Sequence, residues 1–326
     1  MPLYQIKELK HWYNDRVVLD IDALTIYPGS IVGLVGPNGS GKSTLLRLLA
    51  FTTKPSSGAI EFQGKTAEPF MDRVRYHVTL LPQDPYLMKR SVYRNIAYGL
   101  KLRGKKKGIK AHIHEALAQV GLPGEDFEAR QWNELSGGEA QRVALAARLA
   151  LKPEVLLMDE PTANVDIYSS QLIKTAALKA RQQHGTTLII ASHDREWLDE
   201  ICDDLICLFR GRITGKDRDN IVFGSWKERG DNHCEKILAD GQVLVLPSPA
   251  RLPAVACIDP DAIRIISAHQ DSPTLQPYLR CIITRLTIIG NMERTMVSLR
   301  VGDLSLSARC DSKQIETQSL YPGKTV

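Results

Sequence analysis

The sequence predicts a doubly wound α/β sheet, opened by an antiparallel β flap and followed by a small all-β unit. Three observations carry this prediction. Short apolar runs without alternation recur at 31–35 (IVGLV), 155–158 (VLLM) and 187–191 (TLIIA), as expected of strands buried on both faces. Segments of helical periodicity lie between them, near Lys42 to Ala50, His112 to Val120, Gly138 to Lys152 and Tyr168 to Gln183. After about Phe223 the helical periodicity fades and short alternating runs take over.

In chain order, LYQIKELKHWYNDRVVLDIDALTIYPGS reads as two strands joined at Asn14-Asp15, with a further turn at Pro28-Gly29. The three apolar runs end on polar or glycine-rich residues, and in doubly wound sheets ligands sit beyond the carboxyl ends of the strands. Near the end, CIITRLTII, TMVSLRV and LSLSAR are separated by GNMER and by Gly302-Asp303, a two-residue hairpin signal. Pro247, Pro249 and Pro253 lead into this unit as a linker or as an edge strand. A chain of 326 residues is long for one core. The expected division is 1–222, a β-rich connection over 223–253, and a small β domain over 254–326.

Composition narrows the class. With 43% hydrophobic and 24% charged residues the chain reads as an ordinary soluble protein, and its six cysteines lack a C-x-x-C pair, which suits reduced thiols in a cytosolic compartment. MPLYQIKELK has no apolar signal core and no run is long enough to span a bilayer, so neither export nor membrane crossing is expected. A net charge of +5 suits an anionic ligand. The basic residues read as dispersed, however, which argues against nucleic acid as a partner.

The chemistry starts at GPNGSGKST, comprising Gly36, Pro37, Asn38, Gly39, Ser40, Gly41, Lys42, Ser43 and Thr44, which fits G-x-x-x-x-G-K-[ST] between a strand and a helix. Glycines let successive N–H groups turn inward around a polyphosphate, and the helix N-terminus adds a positive dipole end. Lys42 would reach the phosphates and Ser43 would ligate Mg2+. VLLMDE is a buried strand emerging into Asp159, suited to the metal shell, and Glu160, suited to polarising a water for in-line attack. His193 in TLIIASHD follows a third strand end, and the amide of Gln83 in LLPQDPY could reach the metal or the water. LSGGE poses a question, because Gly137 and Gly138 are costly in the first turn of a helix. With Ser136 as the cap, their bared N–H groups make a second anion cradle.

These motifs together resemble the ATP-binding cassette ATPases over roughly residues 3 to 215. The order matches: Tyr13, the Walker A loop 36–44, the Gln83 loop, the signature LSGGE from Leu135 to Glu139, Walker B with Glu160, the TANVD loop ending at Asp166, and the switch His193. The resemblance implies a P-loop NTPase fold with antiparallel β and helical subdomains, hydrolysing ATP with Mg2+, and includes Tyr13 and Asp166 among the nucleotide-binding residues. It also implies a homodimer in which the signature of one copy closes over the ATP of the other. Glu139 stands where many relatives carry glutamine, a departure not expected to abolish activity.

The leading expectation is the motor subunit of an importer on the cytoplasmic face of the inner membrane. It would work with separate permease subunits and, indirectly, a periplasmic or extracellular substrate-binding protein. The permease would dock near the Gln83 loop, where Leu87 and Met88 of YLMKRSVY are either contacts or ordinary core. A soluble cassette ATPase acting on DNA or the ribosome is the competing class. The β-rich end resembles the small oligonucleotide-fold (TOBE, molybdate-binding-like) domains of importers for molybdate, tungstate, sulfate, iron, polyamines and sugars. Tungstate or molybdate is the expected cargo, and ISAHQDSPTLQ departs from the usual oxyanion loop, so this domain either senses an oxyanion or only supports the dimer. KLRGKKKGIK reads as a solvated loop rather than a lipid contact. His112 and His114 point apart on a helix, and His233 beside Cys234 lacks further ligands, so no shared metal is expected there.

Overall fold

The computed structural model describes residues 1–105, 107–163, 165–216, 220–230, 232–248, 255–266, 278–289 and 294–326. The chain forms two compact units, Met1–Thr214 and Gly215–Val326. The first unit begins with β1 (Tyr4–Tyr13), β2 (Arg16–Ile26), β3 (Ile31–Val35) and α1 (Lys42–Leu49). It continues through β4 (Ser57–Phe62), β5 (Lys65–Thr66), α2 (Asp72–Arg75), β6 (Val78–Leu81), α3 (Val92–Leu102), α4 (Ile109–Gln119) and α5 (Gly124–Phe127). Then come α6 (Gly137–Leu149), β7 (Val155–Asp159), α7 (Ile167–His184), β8 (Thr187–Ala191), α8 (Arg195–Ile201), β9 (Asp204–Phe209) and β10 (Arg212–Lys216).

Two sheets organise these elements. The flap is a four-stranded sheet ordered β2-β1-β4-β5, and the central sheet has six strands ordered β10-β9-β3-β8-β7-β6. β3 pairs in parallel with β8 and β9, and β7 pairs in parallel with β6 and β8. Unalternating apolar sequence is explained by what lies on each side. Ile31, Leu156, Met158, Leu188 and Ile190 enter one core with α3, α4, α6 and α7, whereas Val32, Leu34, Val155, Leu157, Ile189 and Ala191 enter another with α1 and the flap. Successive side chains of one strand therefore belong to different cores.

Among the described residues, the regular elements of the second unit are β-strands apart from one short helix and a 3-10 turn at Pro260–Ala262. Its strands are β11 (Asn220–Phe223), β12 (Lys227–Gly230), β13 (His233–Ile237), β14 (Val243–Pro247), β15 (Val255–Ile258), β16 (Ile282–Ile289), β17 (Arg294–Val301) and β18 (Leu304–Asp311), followed by α9 (Ser312–Thr317). They form sheets β11-β15, β12-β13-β14 and β16-β17-β18. β17 and β18 turn at Gly302-Asp303, with Val301 opposite Leu304. After Pro322-Gly323 the chain makes an isolated bridge between Ile282 and Thr325, with backbone bonds from Cys281 and Ile283 N–H to the Val326 and Lys324 carbonyls. Pro249, Pro253, residues 267–276 of ISAHQDSPTLQ and residues 290–293 of GNMER lie outside the described residues.

Candidate active site

The parallel order brings the carboxyl ends of β3, β8, β7 and β6 side by side, so residues far apart in sequence share one edge. β3 feeds the 36–44 loop, β8 leads to His193, β7 ends at Asp159 with Glu160 next, and Gln83 follows β6 as an exposed side chain.

The loop after β3 demands glycine. A Cβ on Gly36 would lie 2.1 Å from the Leu208 carbonyl oxygen. Gly41 has φ 106°, and a Cβ there would lie 2.6 Å from a Leu19 methyl and 3.0 Å from the Val18 oxygen. The Ser40 N–H turns back to donate to the Pro37 carbonyl at 3.1 Å. Lys42 is buried, and its Nζ donates to the carbonyls of Gly36 at 2.7 Å and Pro37 at 3.3 Å. Burial lowers the pKa of the ammonium, against the pull of Glu160 and Asp159. A buried cation hydrogen-bonded to two backbone carbonyls, beside a loop whose Gly36 and Gly41 leave no room for a Cβ, fits a polyphosphate.

At the edge of this loop Ser43 Oγ donates to Asp159 Oδ1 at 3.0 Å. Burial raises the Asp159 carboxyl above its ordinary value, opposed by the Ser43 hydrogen bond and reinforced by the Glu160 charge. A hydroxyl and one carboxylate are hard oxygen donors of the kind Mg2+ uses together with water and substrate phosphates. Among the described residues no group of three or more His, Cys, Asp or Glu forms a cage that would hold a metal unaided.

Glu160 is held in an unusual conformation. Its φ is 46°, in the left-handed region that costs a non-glycine residue on the order of 1 kcal/mol. The Glu160 N–H donates to the Ala191 carbonyl at 2.8 Å, and its own carbonyl accepts from Ala163 at 3.0 Å. The turn aims the carboxylate at the end of β8, where Oε2 accepts from the His193 backbone N–H at 3.2 Å and lies 2.8 Å from His193 Nδ1. Glu160 is buried and the His193 ring is exposed, so the pair runs from the sheet edge to solvent.

The second cradle is at the start of α6. Ser136 caps the helix: its Oγ accepts from the Glu139 N–H at 3.2 Å, and Glu139 Oε2 accepts from the Ser136 N–H at 2.8 Å. The Ser-x-x-Glu spacing is the sequence signal for this box. A Cβ on Gly137 would meet nothing within 4 Å, whereas one on Gly138 would lie 3.0 Å from Ser169 Oγ and 3.3 Å from Asp166 Oδ2. The two glycines thus differ: one stands open and the other lets α6 approach the start of α7. Asp166 caps α7, accepting from the Ser169 N–H at 2.8 Å and the Ser169 hydroxyl at 2.7 Å, and the backbone bond holds its carboxyl below the ordinary value. Gln141 Nε2 donates to the Pro161 carbonyl at 3.3 Å, a tie between α6 and the turn after Glu160 that no sequence motif signals. Asn164 of the TANVD loop lies outside the described residues.

Tyr13, at the end of β1, is 45% exposed, and its ring meets His11 edge to face with centroids 4.8 Å apart. The helices that begin at the two expected cradles lie on opposite faces of the central sheet, since α1 packs in the core shared with the flap and α6 in the other.

Residues 19–163 match the family model described as ABC transporter. Over 213 residues the chain is 37% identical to the tungstate uptake system ATP-binding protein TupC of Peptoclostridium acidaminophilum, an alignment covering 65% of this chain and 97% of that protein. The chain belongs to the ABC transporter ATPases. As an ABC ATPase it binds and hydrolyses ATP. It is also similar to the Fe(3+) ions import ATP-binding protein FbpC of Escherichia coli, at 28% identity over 333 residues, covering 97% of this chain and 93% of that protein. Among solved structures, a dimeric ATP-binding cassette in a post-hydrolysis state with ADP and Pi matches with a TM-score of 0.60 and 26% identity, covering 66% of this chain and 97% of that one. No described helix of this ABC ATPase is long and apolar enough to cross a membrane.

Proposed function

We propose that this ABC ATPase is the motor of an importer, working as a pair of copies that each complete the other's nucleotide site. The observation that supports the pairing is that α1 and α6, the helices behind the two cradles, pack on opposite faces of the central sheet, which sets the signature of one copy apart from its own loop. In this reading residues 36–44 and the exposed Tyr13 bind ATP, and Ser136, Gly137, Gly138, Glu139 and Asp166 close over the nucleotide of the partner copy. Lys42 gives up its bonds to the Gly36 and Pro37 carbonyls and turns its charge to the phosphates. Ser43, Asp159 and Gln83 would hold Mg2+, which when bound neutralises phosphate charge.

Glu160 is the general base, accepting a proton from the attacking water, and His193 orients its carboxylate and the γ-phosphate. Because Oε2 already accepts from the His193 backbone N–H and lies 2.8 Å from its Nδ1, its direction is set before substrate arrives. The permease would dock beside the Gln83 loop, holding the ATPase at the cytoplasmic face of the membrane. A substrate-binding protein on the far side would deliver cargo. Met1–Thr214 would form the cassette and Gly215–Val326 an accessory β domain that senses cargo or supports the pair; the expected boundary at 222 and the separate connection over 223–253 give way because β11 pairs with β15 inside the second unit.

The similarity to a tungstate uptake protein supports tungstate or molybdate as the cargo. Similarity along nearly the whole chain to an iron import protein supports a second reading, import of another solute such as iron. Stimulation of ATP turnover by tungstate, but not ferric iron, in vesicles containing the permease and its binding protein would decide for the first.

The pairing is tested by mixing two inactive variants, Lys42→Ala and Ser136→Arg. An equal mixture recovers activity because half the pairs contain one intact composite site, giving about a quarter of wild-type turnover by random assortment of a two-fold pair. A mixture as inactive as its components overturns the shared site.

A further inference from the structure

Charge along the chain is less even than the composition suggests. Residues 85–114 contain nine Lys or Arg and no Asp or Glu, whereas the other 296 residues carry 33 basic and 37 acidic residues, a net charge of −4. The positive charge of the whole chain therefore comes from this one segment of the helical subdomain, which includes the run KLRGKKKGIK.

The fold concentrates part of that charge on one face. α3 is capped by Ser91 and buries Val92, Ile96 and Leu100. On its opposite side Arg94, Tyr98, Lys101 and Leu102 are exposed, at the spacings that align on a helix, and Lys107 is exposed beyond it. The guanidinium of Arg90 lies over the Tyr98 ring, 5.2 Å from its centroid. Other basic residues nearby are engaged: Lys110 pairs with Glu128 at 2.9 Å, and Arg103 donates to the Leu151 carbonyl at 2.6 Å. Among the described residues Arg94, Lys101 and Lys107 have no carboxylate within ion-pair distance. Tyr98 is 46% exposed and Leu102 52%, so apolar and cationic groups share one face.

We propose that this face of α3 and the exposed Lys107 rest on the headgroups of an anionic lipid surface, in place of the solvated loop that the run KLRGKKKGIK suggests by itself. The inference deepens the reading of this chain as a peripheral motor. Charge complementarity chooses the occupant: the cations are long, exposed and spread over the face of α3 and the segment beyond it, which suits a fluid negative surface. An amphipathic aromatic ring and a leucine among lysines are the groups that enter a headgroup region. An acidic protein segment would instead be met by fixed, partly buried Arg forks, and here the half-buried Arg103 is already bonded within the chain.

The test is sedimentation of the full chain, without permease, with vesicles of neutral phosphatidylcholine alone or with added phosphatidylglycerol. The chain is expected to partition onto the anionic vesicles alone, less so as salt rises. Each of Arg94→Gln, Lys101→Gln and Lys107→Gln should lower partitioning by about fivefold, the value of one basic residue near such a surface. Basal ATP turnover should stay unchanged. Lys179→Gln together with Lys227→Gln, which removes exposed charge elsewhere, should leave partitioning intact. Absence of binding at low salt, or equal loss with the control pair, overturns the proposal. So does a triple variant that still binds vesicles but no longer co-purifies with the permease, which would assign the face to protein. None of these results touches the composite nucleotide site, which the mixing of inactive variants tests separately.

Discussion

Glu160 combines a left-handed backbone, a buried carboxylate and two hydrogen bonds to His193. Glu160→Gln keeps the shape and most of the bonding but cannot accept a proton. Phosphate release should fall by about a hundredfold or more, the usual worth of a positioned base, while ATP binding by equilibrium dialysis stays near wild type. Wild-type turnover in this variant would remove Glu160 from the chemistry. At Asp159 the sign runs the other way from a stabilising ion pair. Its carboxyl is raised in the folded chain chiefly by burial, so the ionised form costs stability above that folded pKa, and the cost is relieved as the pH falls through it. Nucleotide-free Asp159→Asn should therefore melt no lower than wild type at neutral pH, with any advantage shrinking on acidification. The same variant should lose the extra thermal stabilisation that Mg2+ adds to ATP. A clear drop in melting temperature without nucleotide would show Asp159 to be structural.

Helix α6 begins with a reciprocal box, and its two members have separable roles. Ser136→Ala removes the side chain that accepts from Glu139 and should cost about 1 kcal/mol in urea unfolding, the usual worth of an N-cap. Glu139→Gln can still accept from the Ser136 N–H, so its effect on stability should stay within a few tenths of a kcal/mol, and turnover should persist. A large loss in both assays would mean that the Glu139 charge, paired with Arg130 at 3.6 Å, matters beyond the cap. The Ser136 cap was legible in the sequence, as were β3, β7, β8 and the first two strands of the flap, because local spacing alone defines them, whereas β4 joins the flap through long-range pairing with β1. β6 is a four-residue run whose identity as a strand rests on its partner β7. α3 is obscured by Asn95, a polar residue in its buried face, whose amide donates to the Met88, Arg90 and Ser91 carbonyls. β11 pairs with β15 across the three strands between them, a long-range choice that no local pattern encodes.

At the scale of the molecule, the six-stranded sheet is both scaffold and partition. Its carboxyl edge gathers the loop, the two acids and His193, which sequence motifs identify singly, whereas their alignment depends on the order β3-β8-β7-β6. The alternation of strand residues between two cores makes a further prediction. Leu157→Ala should loosen the side of α1 and the flap, while Leu156→Ala should loosen that of α6, each costing about 2–5 kcal/mol. Hydrogen exchange of each variant should rise first in the helices of the affected core. Equal loosening on both sides would show that the cores do not behave separately.

The closeness of Gly138 to Ser169 and Asp166 leaves no room for a methyl shim between the first turns of α6 and α7. Those two helix heads abut like the jaws of a closed hinge, so a push on either would be transmitted to the other without slack. Inserting one carbon, as in Gly138→Ala, would prise the joint apart by a few tenths of an ångström and blunt any signal carried across it.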